Sequence, residues 1–320
     1  MASMRVLHIK TNPPWFDEHF NVMCEKLGFT GETQGIYEPH FTEAKANEYW
    51  AKYRDYYDSF DSIFISHTAP PVRIFLQNGW TKPLNCWFWQ SFDMDVPDKP
   101  RYNQLILEGA GKPNVKFFSV EQHELRYARR ILGRDFQAPV VPPFIFVKNE
   151  TKLPTPHGGR LVITPKANET RYMDLKQTLD QLGVPVYCHP RETGGAPDWR
   201  GIKAIIHVPY CSTPRSLYEN WALENVYLVP SQEFFSWLHY QKNFWYGTCA
   251  SEDISISQWW SQDHQDLFIY FDSFEHLKQI VNSPNFDAMI EDRKRNIRVY
   301  NEKHNTEALA KWRKIFDLDK

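Results

Sequence analysis

The sequence predicts an α/β protein built as two doubly wound halves, each around a parallel sheet. Three observations lead there. A chain of 320 residues exceeds what one hydrophobic core usually organises. Short apolar, β-branched runs alternate with helical patterns along most of its length. That alternation is interrupted at 148–159, Lys-Asn-Glu-Thr-Lys-Leu-Pro-Thr-Pro-His-Gly-Gly, a polar Pro- and Gly-rich composition that suits an exposed linker. The expected division is a first half at 1–150, a second at 151–285, and a helical segment at 286–320 that packs back on the first half.

In the first half, Met4 to Ile9 has strand length, Thr11-Asn12-Pro13-Pro14 forms a turn, and Phe16, Phe20, Met23 and Leu27 recur at helical spacing. A helix is expected from Thr42 to Phe60, a strand from Asp61 to Ser66, and a helix opened by Pro70-Pro71 and running to Gly79. Strands follow at 84–89, 115–119 and 138–141, with a helix from Glu121 to Leu132 closed by Gly133. The second half reads as strand 160–164, helix 169–182, strands 184–188 and 201–207, helix 214–224 and strand 226–229. A strand at 267–271 and a helix at 273–281 follow, and 286–316 is charged and helical, with Trp312 and Phe316 on one face. In such folds ligands bind beyond the carboxyl ends of the strands, so functional residues are expected in loops that follow strands.

Composition excludes several classes. Lys+Arg 37 nearly balances Asp+Glu 39 and no run of like charge stands out, so there is no electrostatic footprint for nucleic acid. Five scattered cysteines without Cys-x-x-Cys spacing argue against a disulfide framework or a zinc site and favour a reducing compartment. Every apolar stretch falls short of the roughly 20 residues that span a bilayer, and the N-terminus lacks an apolar signal core; the expectation is a soluble, cytoplasmic protein. Aromatic residues make up 16% of the chain, twelve of them Trp, which suits sugar stacking, although core packing is the commoner use.

The most informative stretch runs from His207 to Ser231, strand, polar loop, helix and strand. Thr213 reads as an N-cap with Pro214 at the first helical position, so Ser212, Thr213 and the free amides of Arg215 and Ser216 would surround a helix N-terminus, which attracts phosphate. Arg215 adds a fork-shaped charge for a diphosphate, and Glu219, further along the same helix, would accept the two ribose hydroxyls.

Glu219-Asn220-Trp221-Ala222-Leu223-Glu224-Asn225-Val226-Tyr227-Leu228-Val229-Pro230-Ser231 resembles the donor-binding segment of GT-B glycosyltransferases, in particular the glycogen-synthase-like retaining group. The resemblance implies two Rossmann-like domains facing across a cleft. It also implies a UDP- or GDP-linked sugar as donor, a glycan or other hydroxyl acceptor, and neither a metal nor another cofactor. Glu219 takes the place of the glutamate that binds the nucleotide ribose. The family's earlier glutamate, eight residues upstream, is replaced by Cys211, and Glu224-Asn225 stands where a small Gly is usual. Lys166 and Arg171, after strand 160–164, take the position of the basic residues held against the donor phosphates, and His189 that of a loop beside the base.

In the first half Asn12, Trp15, His67, Gln90, Asp93 and Glu121 follow strands. Asn12, Trp15 and Gln90 are candidates for holding the acceptor, and Asp93, His67 or Glu121 for removing its proton if the enzyme inverts. Phe92-Asp93-Met94-Asp95 also carries the Asp-x-Asp spacing by which metal-dependent GT-A transferases hold a divalent ion. Two readings therefore stand beside the GT-B transferase: a GT-A enzyme using Asp93 and Asp95, and a non-catalytic nucleotide- or carbohydrate-binding protein.

Overall fold

A computed structural model describes residues 3–11, 14–38, 40–89, 92–147, 158–163, 174–188, 199–212, 214–242 and 251–319. The chain divides into two compact units, Met1–Phe144 with Thr306–Lys320, and Ile145–Asn305. Each contains a five-stranded sheet whose neighbouring strands all run parallel.

The first unit contains β1 (Arg5–Lys10), β2 (Thr30–Gly35), β3 (Ser62–His67), β4 (Leu84–Phe88) and β5 (Val115–Ser119), in the spatial order β2-β1-β3-β4-β5. Strand β4 is buried at every position and β3 at all but its last, because a parallel sheet covered on both faces leaves no solvent side. The intervening helices are α1 (Trp15–Leu27), α2 (Glu43–Asp58), α3 (Arg73–Leu76), α4 (Lys99–Ala110) and α5 (Gln122–Leu132). Helix α1 stops where Gly28 turns left-handed at φ 74° and donates its amide to the Cys24 carbonyl, a conformation glycine adopts without steric cost. Thr42 caps α2 by accepting the Lys45 amide at 3.1 Å.

Three elements depart from the sequence pattern. The helix expected from Pro70 is a 3-10 turn, Pro70–Val72, followed only by the short α3. Its fully buried Arg73 is fixed by Asp98 and by the Phe41 carbonyl at 3.1 Å. The strand expected at 138–141 reduces to one bridge, Ser119 with Val140, since Pro139, Pro142 and Pro143 supply no backbone donors. Strand β2, Thr-Gly-Glu-Thr-Gln-Gly, has no apolar residue to announce it. It forms by register with β1 at the sheet edge, and Gly31 makes room for the Phe20 ring, which an added Cβ would meet at 2.4 Å.

The second unit contains β6 (Leu161–Ile163), β7 (Tyr187–Cys188), β8 (Ala204–Ile206), β9 (Tyr227–Pro230) and β10 (Phe268–Phe271), ordered β10-β9-β8-β6-β7. Read from the other edge this is the order of the first sheet. Its helices are α6 (Leu175–Gln181), α7 (Arg215–Ala222), α8 (Gln232–Lys242), α9 (Phe274–Val281) and α10 (Phe286–Ile315). The sequence pattern gave no sign of α4, α8, or the 3-10 turns Ser251–Ile256, Gln258–Trp260 and Gln262–Leu267. Asn305 on α10 exchanges two hydrogen bonds with the backbone of Ile145, each 2.8 Å. Among the described residues no helix is long and apolar enough to cross a membrane.

From Thr306 onward α10 belongs to the first unit. Its fully buried Trp312 meets Phe64, Trp87 and Phe118, one from each of β3, β4 and β5, at ring separations of 5.8, 5.0 and 5.5 Å and near-perpendicular angles. The indole N–H donates to the Pro142 carbonyl at 3.0 Å. Trp312→Ala should therefore destabilise the first unit by about 3–5 kcal/mol, the range for emptying a buried Trp site. Scanning calorimetry of wild type and variant tests this, a transition assigned to the second unit serving as the internal reference.

Candidate functional site

The chain leaves β8 at His207 and reaches α7 through Val208-Pro209-Tyr210-Cys211-Ser212. This is the carboxyl end of the strand beside β6, where the strand order of the second sheet reverses. Crossovers on the two sides of such a point run to opposite faces and leave a crevice. The loop is held from behind by the turn Gln258–Trp260: the Trp259 indole donates to the Cys211 carbonyl at 2.8 Å, and the Gln258 amide to the Ser212 carbonyl at 3.3 Å. His207 is buried, with its ring 4.7 Å from that of Trp259, and burial pushes its imidazole down to about 3.

Helix α7 starts one residue later than the sequence reading placed it. Pro214 is extended at ψ 141° and occupies the cap position, and Arg215 is the first helical residue. A proline in that extended conformation stands ahead of the helix instead of opening it. Pro214 accepts the Leu217 amide at 2.9 Å, and no side chain caps the start. The amides of Arg215 and Ser216 lie in the first turn, where a helix has no acceptor of its own. Arg215 is about a third exposed; its Nε lies 3.5 Å from Oε1 of Glu219, a carboxylate almost fully buried one turn along.

The base of α7 is fixed by amides. Asn220 donates to the Ser216 carbonyl at 2.8 Å and to the Tyr227 hydroxyl at 3.0 Å, and accepts from Asn225 at 2.7 Å; Asn225 also donates to the Trp199 carbonyl at 3.1 Å. The helix ends with Glu224 in the left-handed region at φ 59°. The backbone there has the conformation glycine takes most easily. Arg298 holds the Glu224 carboxylate at 2.6 Å.

The first sheet reverses its order between β1 and β3, and a pocket of about 340 Å³ opens there, lined by Thr11 after β1, Tyr37 and Glu38 after β2, His67 and Thr68 at the end of β3, and Asp95. His67 and Asp95 both have left-handed backbones, at φ 77° and 60°. His67 Nδ1 lies 2.8 Å from Thr11 Oγ1, to which Thr68 donates at 2.8 Å. Of the three candidate bases, only His67 lines this pocket. Asp93 is 1% exposed, accepts the Tyr127 hydroxyl at 2.8 Å and pairs with Lys99 at 2.9 Å. Glu121 is buried at the start of α5.

Trp15 is a core residue, 2% exposed and stacked on His19 at 5.0 Å. Asp93 pairs with the half-exposed Lys99, and Asp95 lines the pocket of the first sheet. Asn12, Gln90, Lys166, Arg171, His189 and Thr213 lie outside the described residues.

Sequence reasoning named Glu121 but missed its neighbours. His123 and Glu124, in the first turn of α5, bring ligand atoms within 4.8 Å of one another and of Glu121, a donor set able to hold a divalent ion. Burial, and then the charge of Glu121, hold the Glu124 carboxyl well above the usual carboxylate range. The spacing Glu-x-His-Glu at a helix start was the available signal.

No family model and no curated protein matches the chain. Among solved structures it is similar to A-type ketoreductases from a modular polyketide synthase, at 14% identity over 72% of this chain and 71% of that one, with a TM-score of 0.23. An A1-type ketoreductase is similar at 14% identity over the same shares, with a TM-score of 0.22. Scores that low carry no argument about reaction or ligand.

Two outcomes follow from this geometry. Glu224→Gly should stabilise the second unit by about 1 kcal/mol, because relief of a left-handed non-glycine backbone outweighs a half-exposed ion pair; its midpoint in thermal unfolding should rise. His19 and His207 both have folded values near 3, well below the ordinary 6.5. Unfolding lets them take up protons, so their contribution is intact above pH 6.5 and is lost as pH falls from there toward 3. Each should add a slope of up to roughly 1.4 kcal/mol per pH unit in that window. Calorimetry between pH 7 and 4 should show a shallower loss for His207→Phe in the second unit.

Proposed function

We propose that the chain is a metal-independent glycosyltransferase of the GT-B class, moving a sugar from a nucleoside-diphosphate donor to a hydroxyl acceptor. The observation that carries this is the start of α7. It opens directly beyond β8, at the reversal of the second sheet, with Arg215 in its first turn and the buried Glu219 one turn further in. Helix amides and a guanidinium suit a diphosphate, and a desolvated carboxylate suits the paired hydroxyls of a ribose. The left-handed Glu224 supports the alignment with the donor-binding segment, since it reproduces the backbone that the usual glycine serves.

In the reaction the acceptor oxygen forms a bond to the anomeric carbon while the bond from that carbon to the diphosphate oxygen breaks. The electron pair leaves with the nucleoside diphosphate, and the acceptor proton passes to the departing phosphate oxygen. Charge therefore grows on the diphosphate in the transition state, where preorganised amides and Arg215 stabilise it without a metal. Cys211, in place of the family's first glutamate, leaves that position without a carboxylate beside the donor sugar. The same substitution favours a second reading, a protein that binds a sugar nucleotide without transferring it.

Turnover separates the two. Purified chain incubated with UDP- and GDP-sugars, EDTA and a broad panel of hydroxyl acceptors should release nucleoside diphosphate; binding without release over the whole panel favours the binder. Glu219→Ala should weaken UDP or GDP affinity by about 1–3 kcal/mol, the cost of losing a buried charge-assisted partner, and unchanged affinity in calorimetry removes Glu219 from the site.

A further inference from the structure

The pocket at the reversal point of the first sheet has a chemistry distinct from that of the α7 site. Its polar lining consists of the carboxylates Glu38 and Asp95, the hydroxyls of Thr11 and Thr68, and the His67 imidazole, and the Tyr37 ring stands beside them, 58% exposed. No arginine or lysine is among the described lining residues. Lys45, outside the pocket, lies 3.6 Å from Glu38 and 3.1 Å from Glu48; among the described residues no cation pairs with Asp95, so the lining's own field disfavours anions. At about 340 Å³ it sits at the low end of the ligand-pocket range of roughly 300–1,000 Å³, which limits it to a small ligand.

Carboxylates and hydroxyls in a small cavity beside an exposed aromatic face are the groups that recognise a polyol: acceptors for several O–H donors, and a flat apolar surface for the C–H face of a sugar ring. The seat is also held rigidly. Tyr49 donates its hydroxyl to Glu38 at 2.9 Å, Thr68, Thr11 and His67 form one chain of short contacts, and Asp95 is fixed by its carbonyl, which accepts the Phe41 amide at 2.9 Å. Two non-glycine residues in left-handed backbone, His67 and Asp95, both lie on this pocket, where strain of that kind is retained by its surroundings.

We infer that this pocket binds an unphosphorylated, uncharged or amino-bearing saccharide unit and discriminates against phosphorylated and uronic acid sugars. Its role as the subsite anchoring the acceptor rests on the transferase reading; binding itself does not. The ring of Tyr37 lies flush on Gly35, where an added Cβ would meet its Cε2 at 2.8 Å. Gly35 therefore controls the aromatic wall without itself lining the pocket.

The test is saturation-transfer NMR and calorimetry on the full chain without nucleotide. The probes are methyl glycosides of glucose, mannose, galactose and glucosamine, with glucose 6-phosphate and glucuronate as charged counterparts. At least one neutral or amino sugar should bind at least tenfold more tightly than both anions. Thr68→Val and Glu38→Gln should each weaken it severalfold, Glu38→Gln should also narrow the gap to the anions, and Gly35→Ala should reduce affinity by displacing Tyr37. His67→Gly, which relieves the backbone, should raise the melting temperature while lowering affinity, so loss of binding is not loss of fold. Equal or tighter binding of the anions, affinity unmoved by these variants, or no binding by any probe overturns the assignment. Because UDP and GDP binding through Glu219 is measured separately, sugar binding with no nucleotide binding sinks the transferase and leaves the pocket standing, and the converse sinks the pocket alone.

Discussion

A parallel strand fixes where the chain comes out. Every β-to-α connection must emerge at the carboxyl edge of the sheet, and where the strand order reverses, neighbouring connections turn to opposite faces. Both sheets have that reversal, between β1 and β3 in the first unit and between β6 and β8 in the second. In each, the polar residues with chemical potential stand on the segments that emerge there: Thr11 and His67 in one, Ser212, Arg215 and Glu219 in the other. Hydrophobic burial of the strands is thus what concentrates polar groups at two edges.

Holding those groups in place requires polar contacts that the strands do not supply. In the second unit the Asn220, Asn225 and Tyr227 network joins the helix carrying Arg215 and Glu219 to β9, and the indole N–H of Trp259 fixes the loop before it. Each buried amide has a partner, which makes such a network specify one geometry instead of destabilising the core. The first unit uses an aromatic assembly for the corresponding purpose. Phe64, Trp87 and Phe118 present one face of the sheet to Trp312, and neutral His19 stacks against Trp15 and Trp87. The high tryptophan content is accounted for here mainly by packing.

The alternation of strand and helix was legible because β1, β3, β4, β8 and β9 are buried at nearly every position and so are rich in apolar residues. What escaped was decided by partners and not by pattern. Thr-Gly-Glu-Thr-Gln-Gly becomes a strand only because β1 offers it a register, and 138–141 fails to become one because prolines remove its donors. Arg73, which looks like a surface residue, is entirely inside because Asp98 and the Phe41 carbonyl meet it there. At the α7 site, the helix start was readable to within one residue, and so was the place of Glu219 on that helix. The pocket of Thr11, Glu38, His67 and Asp95 was not, although His67 and Asp95 had been singled out for other roles, because it assembles residues from four separate connections.

Strand β2 has a further consequence. Among the described residues it forms the outer margin of its sheet and pairs on one side only, a row of amides and carbonyls that a second polypeptide could extend. Its composition opposes that: two glycines, the carboxylate of Glu32 held by Arg5 and Tyr56, and mostly exposed side chains offer an incoming strand little apolar surface and a charge to desolvate. The same absence of apolar residues that hid this strand from pattern reading works against strand addition along that margin.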